Sequence, residues 1–228
     1  MTMSTVIDHD TEHAPVRESA VTGTQLRRQL AAAVRVLLAL TVLLGVLYPA
    51  VVWGVSRLPG LHTNAEGSLM PSGQSSLIGI DPVPANPAAD PWFHTRPSAS
   101  APADAVAGLG PADTTTSGGS NLGPHAGDLE TAVAERRAAI AAREGVAPAA
   151  VPPDALTASA SGLDPQISPE YAALQVPRVA RVTGLGEDRV RALVADATEG
   201  RTLGFLGEPR VDVPELDAAL VSAAPGIR

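Results

Sequence analysis

Residues Val36–Ser56 read VLLALTVLLGVLYPAVVWGVS, an uncharged and mostly apolar run bounded by Arg35 and Arg57. No other part of the chain resembles it. At a rise of ~1.5 Å per residue its core from Val36 to Val55 reaches about 30 Å, the thickness of a bilayer's hydrocarbon layer. The run predicts one membrane span. A cleaved signal peptide and a buried soluble helix are the competing readings. A signal peptide has a short basic leader, roughly 7–15 apolar residues and a small-x-small cleavage site. Here the leader runs to Arg35, the apolar run is longer, and the region from Tyr48 to Val52 has no Ala-x-Ala pattern.

Basic residues beside a span resist translocation more than acidic ones do. Arg27, Arg28 and Arg35 lie on the N-terminal side, whereas beyond the span only Arg57 is close and the next basic residue is Arg96. The expected topology is single-pass in the cell membrane, with a cytoplasmic N-terminus and residues from about 58 onward outside the cytoplasm. Tyr48 and Trp53 suit the outer interface. Gly45 and Pro49 are tolerated in a membrane helix where a neighbouring helix or a local adjustment satisfies the freed backbone.

The segment ahead of the span is balanced, with four basic and four acidic residues, so the net charge of −8 comes from 12 arginines against 20 acidic residues beyond it. That acidity, with only Trp92, Phe93, Tyr171 and Phe205 as aromatics there, excludes a nucleic-acid partner. Without cysteine there is no disulfide framework, thiolate metal site or lipidated cysteine. Without lysine there is no Gly-Lys-Ser/Thr phosphate loop, Schiff-base lysine or Ser-x-x-Lys acyl enzyme.

The reading divides the chain into a disordered cytoplasmic leader (1–30), a transmembrane helix (31–56) and one extracytoplasmic domain (57–228). The leader holds His9 and His13, read as solvated rather than as metal ligands. The fold class is α+β, one mixed α/β domain with long loops behind a single N-terminal span. Ser76–Gly79, Trp92–His94, Leu203–Leu206 and Arg210–Val211 are strand candidates, while 97–127 and 147–167 read as long loops. Helices are expected over Asp128–Glu144, stopped by Gly145; from the cap Ser168 to about Val182, kinked or broken by Pro177; over Glu187–Thr198; and from the capping box Asp212-Val213-Pro214-Glu215 through Leu220.

Candidate chemistry is sparse. Ser117-Gly118-Gly119-Ser120-Asn121-Leu122-Gly123 is a glycine-rich loop that either surrounds an anion with N–H groups, allows close approach of another chain, or is a plain turn. His62, His94 and His125 with the surrounding serines leave a hydrolase triad open, although no Gly-x-Ser-x-Gly elbow is present. Gln175, two residues ahead of Pro177, either reads a partner's hydrogen-bonding edge or satisfies the carbonyl that the proline frees.

Several strings together resemble one family, the C subunit of Kdp-type potassium-transporting P-type ATPases. They are Tyr48-Pro49, Gly67-Ser68-Leu69, Ser76-Leu77-Ile78-Gly79, Phe93-His94-Thr95-Arg96-Pro97-Ser98-Ala99, the 117–124 loop, Thr157 to Pro165, Gln175-Val176-Pro177-Arg178-Val179 and Val211 to Leu220. The stretch ahead of the span is longer than the family pattern. The resemblance implies a non-catalytic accessory subunit needed for assembly of an ATP-driven potassium-uptake complex. Its partners would be a channel-like potassium-translocating subunit, an ATP-hydrolysing P-type subunit and a small single-span subunit in the lipid bilayer. The family is also described as a catalytic chaperone that raises the ATP affinity of the hydrolysing subunit. On that description ATP is the one possible ligand, Gln175 the candidate adenine contact, and Ser117, Gly118, Gly119, Ser120 and Asn121 a partner-facing loop. The alternative is a stand-alone, membrane-anchored binding or hydrolytic protein.

Overall fold

A computed structural model describes residues 23–227, so His9 and His13 lie outside the described residues. The chain forms two compact units, one ending at Leu61 and one beginning at His62.

The first unit is a helix over Gly23–Ser56, built as α1 (Gly23–Val42), a π-helical turn (Leu43–Leu47) and α2 (Tyr48–Ser56). It is long and apolar enough to cross a membrane, and none of its residues is buried. Pro49 explains the π-turn. Its ring lacks an N–H and collides with the carbonyl four residues back, at Gly45, in a regular α-helix. The wider turn relieves that contact, with the Tyr48 N–H donating to the carbonyl of Leu43. This is the local adjustment that the sequence allows for. The helix differs from expectation at its other end, since residues 23–30 also belong to it and the expected boundary at residue 30 falls inside α1. Near its C-terminus the Arg57 guanidinium sits 5.0 Å over the Trp53 ring.

The second unit is α+β. After a short α3 (His62–Ala65) the chain runs without long elements to α4 (Gly127–Glu144), followed by α5 (Pro153–Leu156), α6 (Pro169–Thr183), α7 (Glu187–Asp196) and α8 (Val213–Ala223). The strands are β1 (Gln166–Ile167), β2 (Thr198–Glu199) and β3 (Arg210–Asp212), antiparallel in the order β1-β3-β2, with Ile167 and Thr198 both registered on Val211. Local chemistry sets the helix ends as predicted. The Ser168 hydroxyl accepts from Tyr171 N at 3.0 Å, the Asp212 carboxylate from Glu215 N at 2.9 Å, and α4 stops at Gly145 in the left-handed conformation. Tyr171, Val176 and Val179 of α6, Val190 of α7 and Leu216 and Leu220 of α8 pack with Ile140, Val211 and Phe93 in one core.

Several expectations are corrected. Ser76–Gly79 is irregular, with Leu77 and Ile78 exposed and the Gly79 N–H on the carbonyl of Leu163. Leu203–Leu206 forms a tight turn closed by Thr202 and Leu206. Its Leu203 and Phe205 are 79% and 67% exposed, so no sheet face pulls it into a strand. The 147–167 stretch is not plain loop, because α5 and β1 lie within it. Of the kink or break expected at Pro177, the break does not occur, since α6 continues past it to Thr183. Arg210–Val211 does form a strand, as part of β3, but a third candidate, Trp92–His94, fails: its backbone N–H groups pair with side chains instead of a strand, and this segment organises the candidate site.

Candidate functional site

Phe93 N donates to Asp217 Oδ1 at 3.0 Å, His94 N to Gln175 Oε1 at 2.8 Å, and Thr95 N to Asp81 Oδ1 at 2.9 Å. Buried backbone donors must find partners, and here carboxylates and an amide supply them in place of a neighbouring strand. Tyr171, Gln175 and Arg178 recur at helical spacing and so share the face of α6 that meets this segment. Asp217 comes from α8, and Arg143 and Glu144 from the last turn of α4.

The imidazole of His94 lies between two carboxylates, Nδ1 at 3.1 Å from both oxygens of Asp81 and Nε2 at 2.5 Å from Asp90 Oδ2. Arg178 donates from Nε to Glu144 at 2.9 Å, from Nη1 to the Asp90 carbonyl at 2.8 Å and from Nη2 to Gln175 Oε1 at 3.1 Å. Arg143 bonds the other oxygen of Glu144 at 2.7 Å and the Tyr171 hydroxyl at 2.9 Å. Among the described residues every buried side-chain polar atom has a hydrogen-bond partner.

The electrostatics follow from this closure. Burial disfavours an imidazolium at His94, but the charge of Asp81 and hydrogen bonds to Asp81 and Asp90 outweigh it, so its pKa lies above the ordinary value. Burial also opposes the Asp90 carboxylate, yet the hydrogen bond from His94 and the charges of His94 and Arg178 hold it below the usual range. Burial pushes the Asp217 carboxyl up to about 8 and the Tyr171 phenol up to about 12. Two clefts flank the network. One of ≈ 660 Å³ is lined by Ile78, Ile80, Asp81, Trp92, Val213 and Asp217, and the other, of ≈ 380 Å³, by Asp81, His94 and Arg143 among others.

This arrangement positions chain segments more than it offers reactive groups. Both ring nitrogens of His94 are engaged by carboxylates, so neither is available to activate a serine. Gln175 is 0% exposed and its amide is engaged on both sides, Oε1 as above and Nε2 donating to the His94 carbonyl at 3.2 Å. It neither opens an edge to solvent nor turns back to the carbonyl freed by Pro177. The sequence signal that could have found this role is the Tyr171, Gln175, Arg178 spacing, a polar stripe on a face that the surrounding apolar residues bury. Asp81, Asp90, Glu144 and Asp217 carried no local signal.

The glycine-rich loop lies elsewhere in the same domain. Gly118 N donates to the Ser161 carbonyl at 2.8 Å and Ser117 Oγ to the same oxygen at 3.1 Å. A Cβ on Gly119 would sit 3.2 Å from the carbonyl oxygen of Ala160, and one on Gly162, whose φ is +75°, would sit 3.0 Å from the Gly118 oxygen. These glycines admit another loop of the same chain. Ser120 and Asn121 are exposed. Arg96 continues the junction, pairing with Asp164 at 3.0 Å and donating to the carbonyls of Thr157 and Ala158. The 93–99, 117–124 and 157–165 strings therefore form one knot.

The family described as "KdpC: K+-transporting ATPase, c chain" matches residues 30–222. A Kineococcus radiotolerans protein named "Potassium-transporting ATPase KdpC subunit" is 52% identical over 206 residues, 89% of this chain and 97% of that protein. Proteins of the same name from Methylorubrum extorquens and Rhodopseudomonas palustris are each 43% identical, over 86% and 85% of this chain and 98% and 96% of their own lengths. A family match over most of the chain, with relatives this similar across nearly their whole lengths, means that the chain belongs to the KdpC family, the c chain of K+-transporting ATPases.

Proposed function

We propose that the chain is the non-catalytic accessory subunit of an ATP-driven potassium-uptake complex. It crosses the cell membrane once with its N-terminus in the cytoplasm and holds its α+β domain outside, against the channel-like potassium-translocating subunit. The ATP-hydrolysing P-type subunit and a small single-span subunit complete the complex. The observation that carries this reading is the closed polar core, whose buried hydrogen-bonding groups are satisfied within the chain. Such a core supports a rigid scaffold, while exposed Leu77, Ile78, Ile80 and Val83 offer apolar surface for a neighbour. The arginine bias around the span supports the orientation. On this reading the glycine loop meets partners through its exposed Ser120 and Asn121.

Extraction in mild detergent is expected to bring down two larger multi-span subunits with the chain. A monomer that retains its own ligand or hydrolytic activity would replace this reading with the stand-alone one. Protease added to intact spheroplasts is expected to digest the domain. Protection there, together with crosslinking of a photoactivatable ATP analogue, would replace the extracytoplasmic reading with the nucleotide-chaperone role.

A further inference from the structure

Residues 202–207 read Thr-Leu-Gly-Phe-Leu-Gly, an uncharged stretch in the turn between β2 and β3. No large apolar side chain among the described residues is more exposed than Leu203, and Phe205 and Leu206 beside it are 67% and 49% exposed. Leu203 also has a φ of +55°, a left-handed conformation that suits glycine or asparagine and disfavours leucine. Turn chemistry alone would place a small polar residue there. The fold thus accounts for the turn but not for its apolar side chains.

The backbone of the turn is closed on itself. Thr202 and Leu206 exchange N–H to carbonyl bonds of 2.9 Å, and the N–H groups of Gly204 and Phe205 donate to the carbonyls of Arg201 and Thr202 at 3.0 and 3.3 Å. These donors stay satisfied when the turn leaves water, which is the condition that hydrocarbon imposes on a backbone. Charge is paired at the base of the turn, Arg201 with Glu208 at 2.6 Å and, further from the tip, Arg210 with Glu199 at 2.6 Å. An apolar tip above a charged base matches the two levels of a bilayer surface, where aliphatic and aromatic groups enter the acyl boundary and charged groups stay among the headgroups. A protein partner fits less well. Three side chains offer a few hundred Å² at most, against the ~800 Å² that each partner in a standard interface buries. The bilayer is also within reach, because only residues 57–61 lie between the apolar helix ending at Ser56 and α3, a tether of at most ~22 Å.

We propose that Leu203, Phe205 and Leu206 insert into the acyl boundary of the leaflet on the domain's own side, giving the domain a second, reversible attachment to the bilayer that carries its span. The paired base brings no net charge, so the attachment requires no anionic headgroup. The proposal needs the 23–56 helix to span the membrane, but it holds whichever side the domain occupies and whichever subunits accompany it.

The natural absence of cysteine makes the test direct. Single cysteines at Leu203 and Phe205, and at exposed Asp104 and Glu130 as controls, are labelled with nitrobenzoxadiazole in the full chain reconstituted into phosphatidylcholine vesicles. The two tip labels are expected to emit to the blue of the controls. They should be quenched several-fold more by a lipid with a nitroxide on its acyl chain than by iodide present on both sides, and the controls should show the reverse. Leu203→Asn combined with Phe205→Ser, which keeps a residue suited to the left-handed turn, is expected to return a label at Leu206 to the emission of the controls while the circular dichroism of the chain is unchanged. Tip labels that behave as the controls do would overturn the insertion. So would tip labels that are shielded only in the assembled complex and crosslink there to another subunit, which would assign the tip to a protein partner. Flotation of the chain with the vesicles reads the span separately, and a chain that does not float would remove the anchor on which the proposal depends.

Discussion

Gln175 shows how a single side chain can carry a domain's architecture. Its amide closes onto both backbone groups of His94 and also accepts from Arg178, all within the core. Gln175→Ala leaves buried donors without partners, at a cost of about 2–4 kcal/mol. For a chain of this size that lowers Tm by roughly 5–15 °C in a thermal melt of the detergent-solubilised protein. Wild-type stability in the variant would remove the structural role assigned to the amide. The titrating groups of the same site give a pH dependence with a definite sign. Asp217 has a folded pKa raised to about 8, so the folded state holds its proton where the unfolded state releases it, and stability falls as pH rises towards that value. The raised pKa of His94 acts the same way, its contribution present below the ordinary histidine value and lost as pH rises through the folded one. The lowered pKa of Asp90 acts oppositely, its contribution lost as pH falls through the folded value. Melts are therefore expected to show a maximum on the mildly acidic side and a decline towards about pH 9, with Asp217→Asn flattening the decline. A Tm that climbs between about pH 6 and 9 would contradict the assignment.

Among the elements, the helices answered to local rules, and of the strands only β3 did, where Arg210–Val211 was expected. Ser168 is the clearest cap, because its hydroxyl accepts from Tyr171 N and donates to Asp154 Oδ1 at 2.8 Å, tying the start of α6 to α5. Ser168→Ala is expected to cost about 1–2 kcal/mol, and Ser168→Thr less than half of that, by denaturant titration. Equal losses in the two variants would point to packing instead of the cap. The two-residue β1 and β2 were not legible, since two residues cannot display a period of two. Trp92–His94 shows why pattern misled. The segment has the apolar content of a strand, and Phe93 and His94 are buried, but its backbone N–H groups donate to the side chains of Asp90, Asp217 of α8 and Gln175 of α6. No local composition announces such partners. Pro49 was readable as a difficulty for a regular helix, and the π-turn is its local resolution.

For the whole molecule, the acidic surface bears on the proposed work. A domain held near a potassium entrance with excess carboxylates concentrates cations there. Neutralising exposed Asp104, Glu130, Glu135 and Asp188 together is expected to slow uptake at low potassium and low ionic strength, with the difference vanishing in high salt. Unchanged uptake in low salt would remove the idea. The amino-acid sequence by itself determined the span, its bracketing charges, the caps of the main helices and the family, because length, period and capping chemistry act over a few neighbouring residues. Only the tertiary structure decided that His94 is held between two carboxylates, that Gln175 is enclosed, and that the glycine loop receives the 159–162 loop. The deciding bonds join Phe93 to a residue 124 positions away and His94 to one 81 away. Side chains form such contacts only after the helices have packed, and no periodicity in the chain encodes where those distant groups meet.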